Sequence, residues 1–211
     1  MTNKAQQDNF SLRWKGDQRR IGITGGIATG KTTIGNFLKE HQKWPILDTD
    51  RYAKEALKPH TVYTQEVLKR YGSQIICLNN KQEINRKLLA KIIFKDKEER
   101  LWLESLIHPA INSQLQKNLE LQKKSPVIVI IIPLLFEVGL HSICSEVWFV
   151  DCTVDKQLKR LMNRNEISRS EAQTMINAQW SSAKKKSFAD LIINNNADGF
   201  ETWRKQVTNF I

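Results

Sequence analysis

The stretch Gly25-Gly26-Ile27-Ala28-Thr29-Gly30-Lys31-Thr32 limits what this chain can fold into more than any other part of its 211 residues. It fits G-x-x-x-x-G-K-[ST], a loop that cradles phosphate when a strand runs into it and a helix leaves it. Both flanks are in place. Arg20-Ile21-Gly22-Ile23-Thr24 is a short apolar run of strand type, and Ile34, Phe37 and Leu38 recur at helical spacing. Glycine lets the main chain turn tightly and come close to an oxyanion. Successive N–H groups then form an anion nest at a helix N-terminus, whose dipole favours negative charge. Lys31 can reach the β- and γ-phosphates of a nucleoside triphosphate, and the Thr32 hydroxyl can hold Mg²⁺.

A loop of this kind belongs to an α/β fold with a parallel sheet, and further strands follow. Trp44-Pro45-Ile46-Leu47-Asp48-Thr49-Asp50 reads as a short strand with two acids at its carboxyl end, where open α/β sheets bind ligands. Asp48 and Asp50 share a face if the chain is extended there. The alternative for Asp50 is a helix cap ahead of Arg51. From Arg51 to Pro126 the pattern is almost wholly helical, with stripes such as Leu88, Leu89, Ile92 and Ile93. A plain crossover needs only about a dozen residues. This insertion is therefore expected to be a helical subdomain that holds the phosphoryl acceptor. His108-Pro109 inside it is either a helix break or a substrate contact.

Val127-Ile128-Val129-Ile130-Ile131-Ile132 is uniformly apolar and β-branched, as expected of a central strand buried on both faces. It runs into Pro133-Leu134-Leu135-Phe136-Glu137 without the acid that many P-loop proteins place there. Asp48 or Asp50 must then supply the base or metal-shell carboxylate. Leu134, Leu135 and Phe136 are core or line an acceptor pocket. Glu146–Asp151 and Ala189–Ile193 complete the strands, and a helix over Phe200–Ile211 closes the chain. Between them Lys156, Arg160 and Arg164 form a basic stripe at i, i+4 and i+8. A second helix over Ser170–Gln179, with Arg169 at its start, makes the pair read as a lid. Lys184-Lys185-Lys186 reads as a solvated run.

Composition excludes several classes. The longest apolar run is strand length, too short for a membrane span. Three scattered cysteines, Cys77, Cys144 and Cys152, form neither a disulfide framework nor a zinc site and suit a reducing cytosol. Residues Met1–Arg19 are polar, lack an apolar signal core and read as a disordered or loosely packed extension. The net charge of +11 suits anionic nucleotides or nucleic acid and does not choose between them.

In order along the chain, these motifs resemble the dephospho-coenzyme A kinase family. Gly22–Thr32 is similar to that family's two-glycine P-loop. Asp48-Thr49-Asp50 resembles its D-A-D element, His108-Pro109-Ala110-Ile111 its H-P-x-I, and Pro133–Glu137 its P-L-L-F-E. Gln157, Arg160 and Arg164 match Q-x-x-R-x-x-x-R, and Gln179 the later glutamine. Ala189, Asp190, Ile193 and Asn195 match the terminal A-D-x-x-I-x-N. Met175 stands where the family usually has arginine, and Ala197 where it has glycine.

The resemblance implies a P-loop NTPase-type three-layer α/β sandwich with a five-stranded parallel sheet, an inserted helical acceptor-binding subdomain and a helical lid. On that reading 20–211 is one kinase domain: core 20–50, 127–155 and 188–211, acceptor subdomain 51–126, lid about 156–187. The implied reaction is ATP- and Mg²⁺-dependent phosphorylation of the 3′-hydroxyl of dephospho-coenzyme A, in a cytoplasmic monomer with no nucleic-acid or membrane partner. Asp50, Lys31 and Arg164 are the expected catalytic residues. Gly25, Gly26, Ile27, Ala28, Thr29, Gly30, Lys31, Thr32, Thr33, Arg160 and Asn195 are expected to hold ATP, with Thr32 on the metal. Asp48, His108, Leu134, Leu135, Phe136 and Glu137 are expected at the acceptor. The rival readings are a P-loop kinase for another nucleoside or nucleotide, and a basic nucleic-acid-binding P-loop protein.

Overall fold

The strands are β1 (Arg19–Gly25), β2 (Ile46–Asp48), β3 (Ile76–Cys77), β4 (Asn80–Ile84), β5 (Val127–Ile131), β6 (Glu146–Asp151) and β7 (Leu191–Asn194). Those expected from the apolar runs pair into one parallel sheet in the order β2-β5-β1-β6-β7. This is seen in a computed structural model that describes residues 12–77, 80–197, 199 and 201–211. The helices are α1 (Lys31–Gln42), α2 (Thr49–Ala56), α3 (Val62–Tyr71), α4 (Arg86–Lys95) and α5 (Lys97–Leu121), then α6 (Val154–Asn165), α7 (Arg169–Asn177), α8 (Ser182–Lys186) and α9 (Glu201–Thr208).

Period-two alternation sends successive side chains of a strand to opposite faces. In this sheet both faces are covered. Ile21, Ile23, Val129, Ile131, Trp148 and Val150 pack with Ile34 and Leu38 of α1 and with Trp203 and Val207 of α9. The alternate residues Ile128, Ile130, Val147 and Phe149 are fully buried too. Ile21 pairs with Val129 on one side and Glu146 on the other, so β1 is the centre of the sheet and delivers the P-loop from its middle.

The chain divides into two compact units, Met1–Asp48 with Leu121–Ile211, and Thr49–Glu120. The sheet belongs to the first. The second is built on Val67, Tyr71, Ile75, Ile84, Leu89, Leu103 and Ile107, contributed by α3, α4, α5 and a short hairpin. That hairpin, β3 against β4, corrects the expectation of an almost wholly helical insertion. Lys81-Gln82-Glu83 gives β4 a polar sequence with no apolar alternation, so periodicity could not find it. Pro109 does not break its helix either: α5 runs through it for 25 residues. A proline there removes one main-chain hydrogen bond, and flanking helix with Ile107, Leu115 and Leu119 buried keeps the helix continuous.

The expected loose extension also ends earlier than Arg19. Residues 1–11 lie outside the described residues. Beyond them, Arg13 donates to the Phe188 carbonyl at 2.9 Å, and the Trp14 amide to Cys144 O at 2.9 Å. Gln18 Nε2 donates to Gln122 O at 2.8 Å and Ser125 O at 2.7 Å. The Arg20 guanidinium lies 3.6 Å from the centre of the Trp14 ring. A polar segment is packed here by side chains that satisfy partly buried main-chain carbonyls, which composition does not reveal.

Candidate active site

The P-loop follows directly from β1 and feeds α1. Gly30, the residue before the helix, has φ 104°, which favours glycine, and a Cβ there would lie 2.3 Å from Asn195 Nδ2. Gly30 makes no side-chain capping bond to the N-terminus of α1, and a helix N-terminus favours an anion. Thr32 and Thr33 are exposed on that turn.

The carbonyls of the loop are spoken for, one after another. Lys31 Nζ donates to Gly25 O at 3.1 Å and to Gly26 O at 2.8 Å. Thr29 Oγ1 also donates to Gly26 O, at 2.9 Å. Gln157 Nε2 donates to Ile27 O at 2.7 Å. Arg160 reaches Ala28 O and Thr29 O at 3.4 Å, and Asn195 Nδ2 donates to Thr29 O at 2.7 Å. Donors drawn from α1, α6 and the end of β7 thus form a collar that holds the loop by its carbonyls. Two of its amides are engaged as well, Ile27 N–H with Gln179 Oε1 at 2.9 Å and Thr29 N–H with Gly26 O at 3.4 Å. A main chain held in this way is preorganised, as a phosphate cradle requires.

The basic stripe on α6 is divided. Lys156 Nζ donates to the Asn196 carbonyl. Arg160 serves the collar and also donates to Cys152 Sγ at 3.4 Å and Asn195 O at 3.4 Å. Burial raises the Cys152 thiol above its ordinary range, so it meets Arg160 as a neutral acceptor. Arg164 is exposed, and its Nε donates to Asn165 Oδ1 at 3.0 Å. Met175, where the resemblance suggests arginine, is buried on α7.

Beyond β5, Leu135 and Phe136 are 0% and 2% exposed, so they are core residues in this structure. Phe136 packs against the Phe188 ring at 5.6 Å. Leu134 and Glu137 are half-buried. Glu137 Oε1 accepts from Lys185 Nζ at 2.7 Å and from the Trp180 amide at 3.3 Å. Its Oε2 is buried and has no hydrogen-bond partner among the described residues. Lys185 Nζ also donates to Pro133 O, which accepts from Thr24 Oγ1 as well, each at 3.3 Å. Lys186 Nζ donates to Asp151 Oδ2 at 2.6 Å. The expectation of a solvated lysine run is therefore wrong at two of its three positions. Lys185 is fully buried, and only Lys184 is exposed, lying over the Trp180 ring at 3.3 Å. Charge runs on short polar helices look alike whether their partners are water or buried carboxylates, so no local signal marks Lys185.

Asp48 ends β2, half-buried and in register with Ile131. Thr49 is already helical, so Asp50 sits inside the first turn of α2 and is exposed there. The extended geometry that would set both carboxylates on one face is not kept. Nor does Asp50 precede the helix as a cap would, since the helix already includes Thr49. His108 is half-buried within α5. The structure thus brings together residues 25–33, Arg160 and Asn195 in the first unit, while Asp50 and His108 belong to the second.

A family profile described as dephospho-CoA kinase matches residues 19–201. A protein of that name from Prochlorococcus marinus is 50% identical over 209 residues, covering 98% of this chain and 97% of its own. Another, from Parasynechococcus marenigrum, is 45% identical over 178 residues, 84% of this chain and 88% of its own. A crystal structure from Thermus thermophilus superposes with TM-score 0.72 at 27% identity, covering 92% of this chain and 97% of its own. The dephospho-CoA kinase of Campylobacter jejuni shares the fold, with TM-score 0.61 at 23% identity over 90% of this chain and 94% of its own.

Proposed function

The chain belongs to the dephospho-CoA kinase family, and from that premise we propose how its residues carry the ATP-dependent phosphorylation of dephospho-CoA, a step of coenzyme A biosynthesis. The observation that supports the assignment most is the carbonyl collar around Gly25–Thr29. It orients the loop for a triphosphate before any ligand arrives. Phosphoryl transfer needs positioning and charge stabilisation more than covalent chemistry, and preorganised dipoles supply both.

The amides of Ala28 to Thr33 take the β- and γ-phosphates. Lys31 leaves Gly25 O and Gly26 O to follow the charge that develops on the transferring group. The exposed Thr32 hydroxyl is placed to hold Mg²⁺, which supplies neutralisation of the phosphate oxygens when bound. Arg160 stays with the collar as a support. Arg164, free of the loop carbonyls and exposed on the last turn of α6, is the arginine that can move onto the γ-phosphoryl group.

At the acceptor, Asp50 orients and deprotonates the 3′-hydroxyl, the role of a carboxylate within hydrogen-bond reach of a proton it abstracts. Asp48 supports the metal shell. His108, Leu134 and Glu137 contact dephospho-CoA, and the unpartnered Glu137 Oε2 offers an acceptor for a substrate N–H or O–H. Leu135 and Phe136 act from the core of the first unit, next to Leu134 and Glu137 in the chain. The enzyme works as a cytoplasmic monomer without a nucleic-acid partner; no described helix is long and apolar enough to cross a membrane. The test is ADP release with dephospho-CoA, adenosine and cytidine monophosphate as acceptors, with and without a Mg²⁺ chelator. Turnover is expected with dephospho-CoA, is lost on chelation, and is far slower with the two smaller acceptors. Equal turnover of adenosine would overturn the acceptor assignment, since remote binding energy should raise the rate.

A further inference from the structure

Ile27 stands third in the P-loop, and both of its main-chain polar groups are taken by glutamines from distant segments. Its N–H donates to Gln179 Oε1 at 2.9 Å, and its carbonyl accepts from Gln157 Nε2 at 2.7 Å. The fixed polarity of the main chain settles which amide atom faces it: an N–H must meet oxygen, a carbonyl must meet nitrogen. Gln157 is 2% exposed, on the buried face of α6. A Cβ on Gly26 would lie 2.5 Å from its Nε2, so the second glycine of the loop is what lets Gln157 close on the peptide. Gln179 lies just beyond the end of α7, and the neighbouring Trp180 amide is held by Glu137.

We propose that Gln157 and Gln179 are positioning residues for phosphoryl transfer, bracketing Ile27 from both sides so that the amides after it are aligned for the triphosphate. The inference rests on the ATP site assigned above. The bracket ties the loop to α6, which carries Arg160 and Arg164, and to the segment that follows α7, the helix that begins at Arg169. The backbone angles of Ile27 set the direction of the Ala28 to Lys31 amides, and these are the groups that meet phosphate. Releasing either glutamine leaves a poorly solvated main-chain group without its partner and loosens the loop. A main-chain hydrogen bond lost in this way weakens binding about 3- to 10-fold. The two glutamines act with opposite polarity. Position 179 needs an acceptor, which glutamate supplies; position 157 needs a donor, which an ionised glutamate cannot be.

The experiment measures steady-state kinetics with ATP and dephospho-CoA, ATP affinity by calorimetry, and Tm without nucleotide, for Gln157→Ala, Gln179→Ala, Gln157→Glu and Gln179→Glu. The alanine variants should raise both KM and Kd for ATP about 3- to 10-fold, with KM for dephospho-CoA unchanged. Gln179→Glu should keep the wild-type Tm, while Gln157→Glu lowers it, because its carboxylate faces the Ile27 carbonyl. Lower Tm with unchanged ATP affinity in the alanine variants would reduce both residues to structural roles and overturn the proposal, as would identical behaviour of the two glutamate variants. If Gln157 variants do not fold, the half-buried position 179 carries the test alone. Absence of any wild-type turnover with dephospho-CoA would instead count against the function, and the calorimetric arm would still decide the bracket.

Discussion

Between Gly25 and Thr29 each main-chain carbonyl accepts a hydrogen bond from a side chain, whereas the unit Thr49–Glu120 is organised by an apolar cluster around Val67, Leu103 and Ile107. The first unit commits three of its buried polar side chains, Lys31, Gln157 and Asn195, to holding one loop. The second keeps its strongest polar network near the surface. There Arg70 donates to both Glu99 oxygens, at 2.8 and 2.9 Å, and Tyr71 to one of them at 2.6 Å. Phosphate is recognised by fixed dipoles, and fixed dipoles need a scaffold of hydrogen bonds prepared in advance. An organic acceptor is recognised largely by shape, which packing can provide.

Four measurements would break or sharpen that contrast. The largest effect is expected at Lys185, a fully buried cation of the first unit. Lys185→Met removes the ion-pair partner of Glu137, which costs about 3–5 kcal/mol for a buried pair. The midpoint of thermal unfolding should fall by roughly 6 °C or more, and adding Glu137→Gln should recover part of the loss. A midpoint within a degree of wild type would mean that the polar scaffold is not what holds this region.

Next comes Lys31→Ala, expected to lower kcat by about 10²- to 10³-fold, the size of losing one transition-state donor. Its thermal midpoint should hold, because the remaining collar donors stay. Loss of folding instead of rate would show that the bonds to Gly25 O and Gly26 O matter more to the fold than to the phosphate. In the second unit Asp50→Asn should cut kcat by about 10²-fold through loss of the base. It should change stability little: an acid in the first turn of an exposed helix contributes about 0.3–1 kcal/mol. An Asn variant retaining more than half of the activity would move the chemistry to Asp48.

The smallest effect is one of pH. Hydrogen bonds from Arg70, then from Tyr71, hold the Glu99 carboxyl down at about 2. A depressed folded-state pKa gives stability that is complete above the ordinary carboxylate range and is lost as pH falls toward 2. Acid unfolding followed by circular dichroism should therefore show a limb between those values, flattened in Glu99→Gln. A limb of equal slope in the variant would remove Glu99 from the account of the second unit.

The contrast also explains what could be read from the chain. The P-loop and the strands were legible because glycine spacing and β-branched runs act locally: Val127 to Ile132 has one plausible environment. Asp50 was placed near its true position but in the wrong backbone, because nothing in Pro45–Asp50 says where strand yields to helix. The partners of Arg13, Gln18, Lys185 and Lys186 were illegible. Each is a polar side chain whose role is set by a carbonyl or carboxylate far away in sequence, as with Gln18 and Ser125 or Lys185 and Pro133. Pattern reading finds apolar faces; it has no access to such pairings.

The strand order has a consequence for the making of the protein. β1 leaves the ribosome before its partner strands, and both of them, β5 and β6, are encoded after the whole Thr49–Glu120 unit. Translation runs at about 5–20 residues per second, so the central strand waits several seconds or more before Ile21 can meet Val129. Over that interval the later-made unit can complete its own local contacts, and the nascent chain carries a bare, apolar strand edge of the kind that invites aggregation. β1 can be paired only after the Thr49–Glu120 unit has been made, so conditions that slow elongation through residues 49–120 should raise the demand for chaperones on β1.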